Sequence, residues 1–178
     1  RKVVANDTFF FREMGVDIHP QTGMFSEVLP NKWFIPNCID IDTFSRSPSD
    51  SRFPYDVIVV PRNFTYPRGI DLAINAFAVF NLEFPDTRLL LVGDAITGLV
   101  SSQVYKQELF KLISSLNLDN KIIYKGFVPW DQMPPIYSNS SVTLIPTRNS
   151  EGTSLSALES MSCGTATLTT DVEGLLDL

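Results

Sequence analysis

The order of apolar and polar positions changes character near residue 55. Beyond that point, short apolar runs alternate with stretches of helical spacing. Val57, Ile58, Val59 and Val60 form an unbroken β-branched run, the pattern of a strand buried on both faces. Residues 70–83 place Ala73, Ala76, Phe77 and Phe80 at i, i+3, i+4 and i+7, one face of a helix, and Pro85 stops it. Leu89, Leu90, Leu91 and Val92 give a second buried strand, closed by Gly93. Residues 103–116 carry Tyr105, Leu109, Leu112, Ile113 and Leu116 on one helical face. A third strand is predicted over 121–124 and a short helix near 131–137, the latter weakened by Pro134 and Pro135. Residues 141–145 read as a fourth strand, 153–163 as a helix stopped by Gly164, and 166–169 as a fifth strand.

Residues 1–52 hold no sustained period. They carry turn formers (Pro20, Gly23, Pro30, Pro36, Pro48) and a polar run over 45–52, with strand candidates at Val3 to Ala5 and Trp33 to Ile35. They are expected to be a lead-in segment and interdomain linker. Residues 53–178 are expected to be one Rossmann-like domain cut short at its C-terminal end, both chain ends reading as cuts in a longer protein. Apolar strands alternating with amphipathic helices imply an α/β fold, a doubly wound parallel sheet with helices on both faces. Ligands of such sheets sit at the carboxyl ends of the strands, so the loops after Val60, Val92, Tyr124, Ile145 and Thr169 are the places for chemistry.

Two of those loops carry it. After Val60 come Arg62 and Arg68, with a helix starting at once. Guanidinium forks fit phosphate oxygens, and a helix N-terminus adds free N–H groups and a favourable dipole. Solvated loop arginines paired with surface acids fit the same residues. After Ile145, Glu151 stands at a loop-to-helix junction, Gly152 admits close approach to the backbone, and the amides of Gly152, Thr153, Ser154 and Leu155 can face an anion. Glu159 lies two helical turns further on. Two carboxylates so placed can accept from sugar hydroxyls; equally, Glu151 can complement the helix dipole and Glu159 can be a surface residue. Glu159 is flanked by Leu155, Leu158 and Met161, and a carboxylate beside an apolar stripe calls for a partner.

Composition narrows the choices. A net charge of -6 argues against sequence-independent nucleic-acid binding, which needs clustered cations. Cys38 and Cys163 are far apart and His19 is the lone histidine, which leaves little material for disulfides, metal sites or a Ser-His-Asp triad and suits a reducing cytoplasm. No apolar run approaches the ~20 residues of a spanning helix. No dinucleotide fingerprint follows the first strand, where Val60-Pro61-Arg62 stands, and Gly93 is a lone glycine. Asp94 and Asp171 at strand ends fit a phospho-receiver sheet, but the acidic pair expected after its first strand is missing.

From Ile35 onward the chain resembles the C-terminal, donor-binding domain of family-four retaining glycosyltransferases of the glycosyltransferase-B fold (glycosyl transferases group 1). Glu151-Gly152-Thr153-Ser154-Leu155 through Leu158-Glu159 and Cys163-Gly164-Thr165 is similar to that family's E-x7-E motif and helix ending. Ile35-Pro36-Asn37, Arg62, Arg68-Gly69-Ile70-Asp71, 89–94 and Gly126-Phe127-Val128 follow in the family's order. The resemblance implies that Arg62 and Arg68 hold the donor diphosphate and that Glu151 contacts the transferred sugar as the catalytic carboxylate. It further implies that Glu159 meets the ribose, that Gly152, Thr153, Ser154 and Leu155 meet sugar and distal phosphate, and that Phe127 and Val128 lie beside the base. It implies a nucleoside-diphosphate sugar as substrate, no metal or other cofactor, an N-terminal acceptor-binding domain in the same protein and peripheral contact with the cytoplasmic membrane face. The chain departs from the family at Arg68, usually Lys; at Pro61 and Cys38, usually Gly; at Ala166, usually Pro; and at Val172-Glu173-Gly174, usually a Gly-Gly pair. These departures leave a catalytically silent nucleotide-sugar-binding module as the alternative.

Overall fold

The computed structural model describes residues 2–21, 23–48, 57–149 and 151–178. Five parallel strands form the main sheet: β4 (Val57–Pro61), β5 (Arg88–Val92), β6 (Ile122–Gly126), β7 (Val142–Ile145) and β8 (Ala166–Thr169). Their order is β6-β5-β4-β7-β8. The chain leaves β4 toward one edge, then returns to its other side, so the crevice between β4 and β7 is the switch point of a doubly wound sheet.

β5 shows why both faces are covered. Leu89 and Leu91 pack with Ile74, Phe77, Leu109 and Ile113 from α2 (Ile70–Glu83) and α3 (Val100–Ser115). Leu90 and Val92 point to the other face, against Phe44, Met133, Ile136 and Tyr137. The α2 face differs from the expected one. Ile70, Ala73, Ile74 and Phe77 are buried, whereas Ala76 and Phe80 are exposed. Phe80 stacks on Phe84 with ring centroids 4.6 Å apart, so its ring finds a partner outside the core. The weak helix near 131–137 resolves into a 3-10 turn at Trp130–Gln132 and α4 (Pro134–Ser138). Both prolines sit in the first turn of α4, where no intrahelical N–H bond is lost.

The leading residues carry more structure than their sequence pattern indicates. β1 (Val3–Ala5), β2 (Ser26–Leu29) and β3 (Lys32–Phe34) form a separate sheet of order β1-β3-β2, with α1 (Phe9–Arg12) between β1 and β2 in the chain. β2 and β3 are a hairpin whose turn residue Asn31 has φ +62°, a conformation asparagine tolerates. Ala5, Phe11 and Phe34 make its small core. Short strands with bulges have no readable period, and β2 and α1 lack one. Asp177, near the end of the chain, accepts from Thr8 N–H (2.7 Å) and Thr8 Oγ1 (2.6 Å), clamping this unit to the main domain. The expected boundary between residues 52 and 53 lies outside the described residues. Among the described residues, no helix is long and apolar enough to cross a membrane.

Candidate functional site

The carboxyl ends of β4 and β7 open into a cleft of about 370 Å³. Two glycines bring its walls together. A Cβ on Gly69 would stand 1.8 Å from Pro146 O, and one on Gly93 would stand 2.2 Å from Arg62 O. Both have positive φ (+65° and +130°), so both requirements select glycine. Gly69 seats the start of α2 against the end of β7, and Gly93 seats the end of β5 against the backbone that carries Arg62.

Arg62 follows β4 directly and is 7% exposed. Its Nη1 donates to Ser154 Oγ (3.2 Å) and its Nη2 to Thr147 Oγ1 (3.2 Å) and to Glu151 Oε2. Arg68, at the end of the turn Tyr66–Arg68, reaches the same carboxylate oxygen. Thr147 Oγ1 donates to that oxygen as well, at 3.0 Å. Glu151 thus neutralises two guanidinium groups at once. Burial pushes the Arg62 pKa down and the neighbouring Arg68 charge adds to this, while Glu151 opposes both. Arg62 Nε is buried without a hydrogen-bond partner among the described residues. A third arginine at this edge is committed elsewhere. Arg148 bonds Asp71 and lies 4.4 Å from the Tyr66 ring centroid, and the Tyr105 hydroxyl donates to Asp71 from the other side.

The helix predicted over 153–163 begins two residues later, as α5 (Leu155–Ser162). Thr153 and Ser154 are loop residues ahead of it, Ser154 with an extended backbone, and their hydroxyl groups are used in tertiary bonds. The first α5 amides have no intrahelical acceptor and open toward the cleft that Gly152, Thr153 and Leu155 line. Glu173 holds a left-handed backbone (φ +39°) where the resemblance expects glycine. Its carboxylate accepts from Glu151 N–H at 3.0 Å and so stands beside the glycine loop. Gly174 then packs so tightly that a Cβ would stand 2.6 Å from Gly152 C.

The structure therefore brings together Arg62, Arg68, Glu151, Gly152, Thr153, Ser154 and Leu155. Glu159 stands apart from the cleft lining. It accepts from the Tyr137 hydroxyl at 3.0 Å, the partner that its setting calls for. That partner comes from α4, which packs against α5. Burial raises the Glu159 pKa, and the Tyr137 bond partly opposes the rise. Phe127 and Val128 lie in the loop after β6, outside the cleft lining; Phe127 is exposed and Val128 packs against the core cluster that contains Phe44 and Met133. Asn6 lines the cleft with no signal of its own in the sequence, and Asn37 lines it from within the Ile35-Pro36-Asn37 motif. Thr147 is outside the lining but bonds Arg62 and Glu151, again with no signal of its own. Among the described residues, no group of His, Cys, Asp and Glu is arranged to hold a metal ion.

The chain is similar to known proteins in both sequence and fold. The family described as glycosyl transferases group 1 matches residues 42–178. The chain belongs to that family. Mannosylfructose-phosphate synthase of Agrobacterium fabrum is 31% identical to this glycosyl transferase group 1 chain over 109 residues, 61% of the chain and 24% of that protein. An uncharacterized glycosyltransferase of Methanocaldococcus jannaschii is 28% identical over 122 residues, 68% of the chain and 29% of that protein. Among solved structures, Anabaena HepE in complex with UDP and glucose has a TM-score of 0.78 at 22% identity, covering 99% of this chain and 46% of that one. Sucrose-phosphate synthase from Thermosynechococcus elongatus has a TM-score of 0.78 at 20% identity, covering 97% and 41%. These likenesses place the chain in the glycosyltransferase-B fold with its Rossmann-like domains. The chain spans about a quarter of the curated relatives it matches and less than half of these solved chains.

Proposed function

We propose that this chain is the donor-binding part of a retaining glycosyltransferase that moves a sugar from a nucleoside diphosphate to an acceptor hydroxyl. The observation that carries the reading is the convergence of Arg62 and Arg68 on one carboxylate oxygen of Glu151 at the mouth of α5. Two guanidinium groups beside unsatisfied helix amides form a site for a diphosphate. In the free chain Glu151 supplies the negative charge that a diphosphate supplies in the complex. When the diphosphate takes over both arginines, the Glu151 carboxylate is released toward the sugar that lies over Gly152.

The same groups serve the chemistry. Breaking the bond between the anomeric carbon and the phosphate oxygen leaves negative charge on the diphosphate. Arg62, Arg68 and the α5 amides are fixed in place to stabilise that charge without reorganisation. This arrangement performs the task of a divalent cation, so the reaction is proposed to be metal-independent. The acceptor and the rest of the catalytic cleft come from an N-terminal domain of the longer protein, which works at the cytoplasmic face of a membrane.

Titration calorimetry of the chain with UDP, GDP, ADP and their nucleosides, with and without EDTA, tests the reading. One diphosphate binding equally in both buffers, with its nucleoside much weaker, is expected. Equal affinity for diphosphate and nucleoside, or binding of none, refutes the donor site. Loss of binding in EDTA refutes metal independence.

A further inference from the structure

Asn6 and Asn37 form the wall of the cleft that the leading segment contributes. Asn6 Nδ2 donates to Asn37 Oδ1 at 3.3 Å, Asn37 Nδ2 donates to Thr153 O at 2.7 Å, and Thr153 Oγ1 donates to Asn6 O at 2.7 Å. These bonds close a ring through the loops after β1 and β3 and the glycine loop ahead of α5. Asn6 leans on the glycine itself, since a Cβ added to Gly152 would lie 3.1 Å from Asn6 Oδ1. Among the described residues that oxygen accepts no hydrogen bond, and Asn6 Nδ2 has a second hydrogen beyond the one given to Asn37. A carboxamide held in this way presents one donor and one acceptor to whatever lies over Gly152.

The charge around the glycine limits what that can be. Asp7 Oδ2 lies 3.3 Å from the same added Cβ, and Glu173 holds the Glu151 N–H from behind. Among the described residues, the cleft lining contains no cation beyond Arg62 and Arg68. A second anionic group placed over Gly152 would face carboxylates without a counter-charge, whereas neutral hydroxyl groups find both donors and acceptors there.

We infer that Asn6 is a specificity-determining residue that hydrogen-bonds the transferred sugar, and that this sugar is an uncharged polyhydroxyl sugar rather than a uronic acid. The inference rests on the donor-site reading. The test titrates the chain and its Asn6→Ala variant with UDP, UDP-glucose and UDP-glucuronate, using the GDP or ADP series where that base is the one bound. Asn6→Ala is expected to leave the diphosphate within twofold and to weaken the hexose ester about five- to tenfold, the worth of one or two hydrogen bonds. The parent chain is expected to prefer the hexose ester over the hexuronate by about tenfold or more. Equal weakening of diphosphate and hexose ester by the variant overturns the role of Asn6. A parent chain that binds the hexuronate as tightly as the hexose overturns the sugar class, and that comparison needs no variant to fold. Failure of every diphosphate to bind is a separate result that removes the donor site and this inference with it.

Discussion

Replacing Glu151 with Gln tests whether its carboxylate stands in for a diphosphate. In the free chain this one group answers two guanidiniums, of which Arg62 is nearly fully buried and Arg68 about a third exposed. Glutamine keeps the shape and an acceptor for Thr147 and Arg62 but removes the charge. A buried cation left uncompensated costs about 3–5 kcal/mol. The retained hydrogen bonds and the solvent access of Arg68 reduce this to an expected loss of about 2–3 kcal/mol. For a chain of this length that is a fall of roughly 5–10 °C in Tm. A bound diphosphate supplies the missing charge in parent and variant alike, so most of the penalty vanishes in the complex. Diphosphate affinity should therefore rise in the variant by about tenfold, using about 1.4 kcal/mol of the apo-state penalty. Thermal unfolding with and without the diphosphate, together with calorimetry, measures both halves. A variant that binds the diphosphate more weakly, or keeps the parent stability, refutes the stand-in role.

Other perturbations bear on separate parts of the structure. Gly69→Ala should cost well over 2 kcal/mol in urea unfolding, because a Cβ there collides with Pro146 O; Gly164→Ala, with similar φ and no contact nearer than 3.6 Å, should cost only about 1 kcal/mol. Similar losses at the two sites would refute the close packing of α2 on β7. Glu173→Gly relieves a left-handed backbone and frees the Glu151 N–H, so the diphosphate sugar should bind more tightly; weaker binding would make Glu173 part of the donor site. Burial raises the folded-state pKa of Glu159, so its ionisation opposes folding, and the opposition grows as pH rises through the ordinary carboxylate range. Glu159→Gln should accordingly gain stability on the parent as pH rises from about 4 to about 7, through and above the ordinary carboxylate range, and a gain that stays flat with pH would refute the assignment. Arg62→Ala should weaken the diphosphate far more than the nucleoside, and equal losses would remove its phosphate role.

Much of the fold was legible because it follows from short-range patterning. The run from Val57 to Val60, the leucines of β5, the α3 face and the glycine stop after α5 each state their element locally. Alternation then implies a parallel sheet with its binding edge at the strand ends. Errors arose where tertiary packing chose between similar local options. The α2 seam turned toward Ile70 and Ile74 because those side chains reach β4 and β5, leaving Ala76 and Phe80 outside. The unit formed by β1, β2 and β3 was hidden because its strands are only three or four residues long and one pairing is bulged.

The sequence alone determined the alternating architecture, the binding edge and the residue types able to grip a diphosphate, since period, turn chemistry and charge are properties of neighbouring residues. Only the tertiary structure decided that Arg62 and Arg68 share one oxygen of Glu151 across more than eighty residues, and that Arg148 does not join them. It also decided that Glu159 finds its partner in Tyr137, and that Asn6 reaches Gly152 from the far end of the chain. These contacts depend on the path of the backbone through space, and no local period encodes the distance between two loops that meet at a sheet edge.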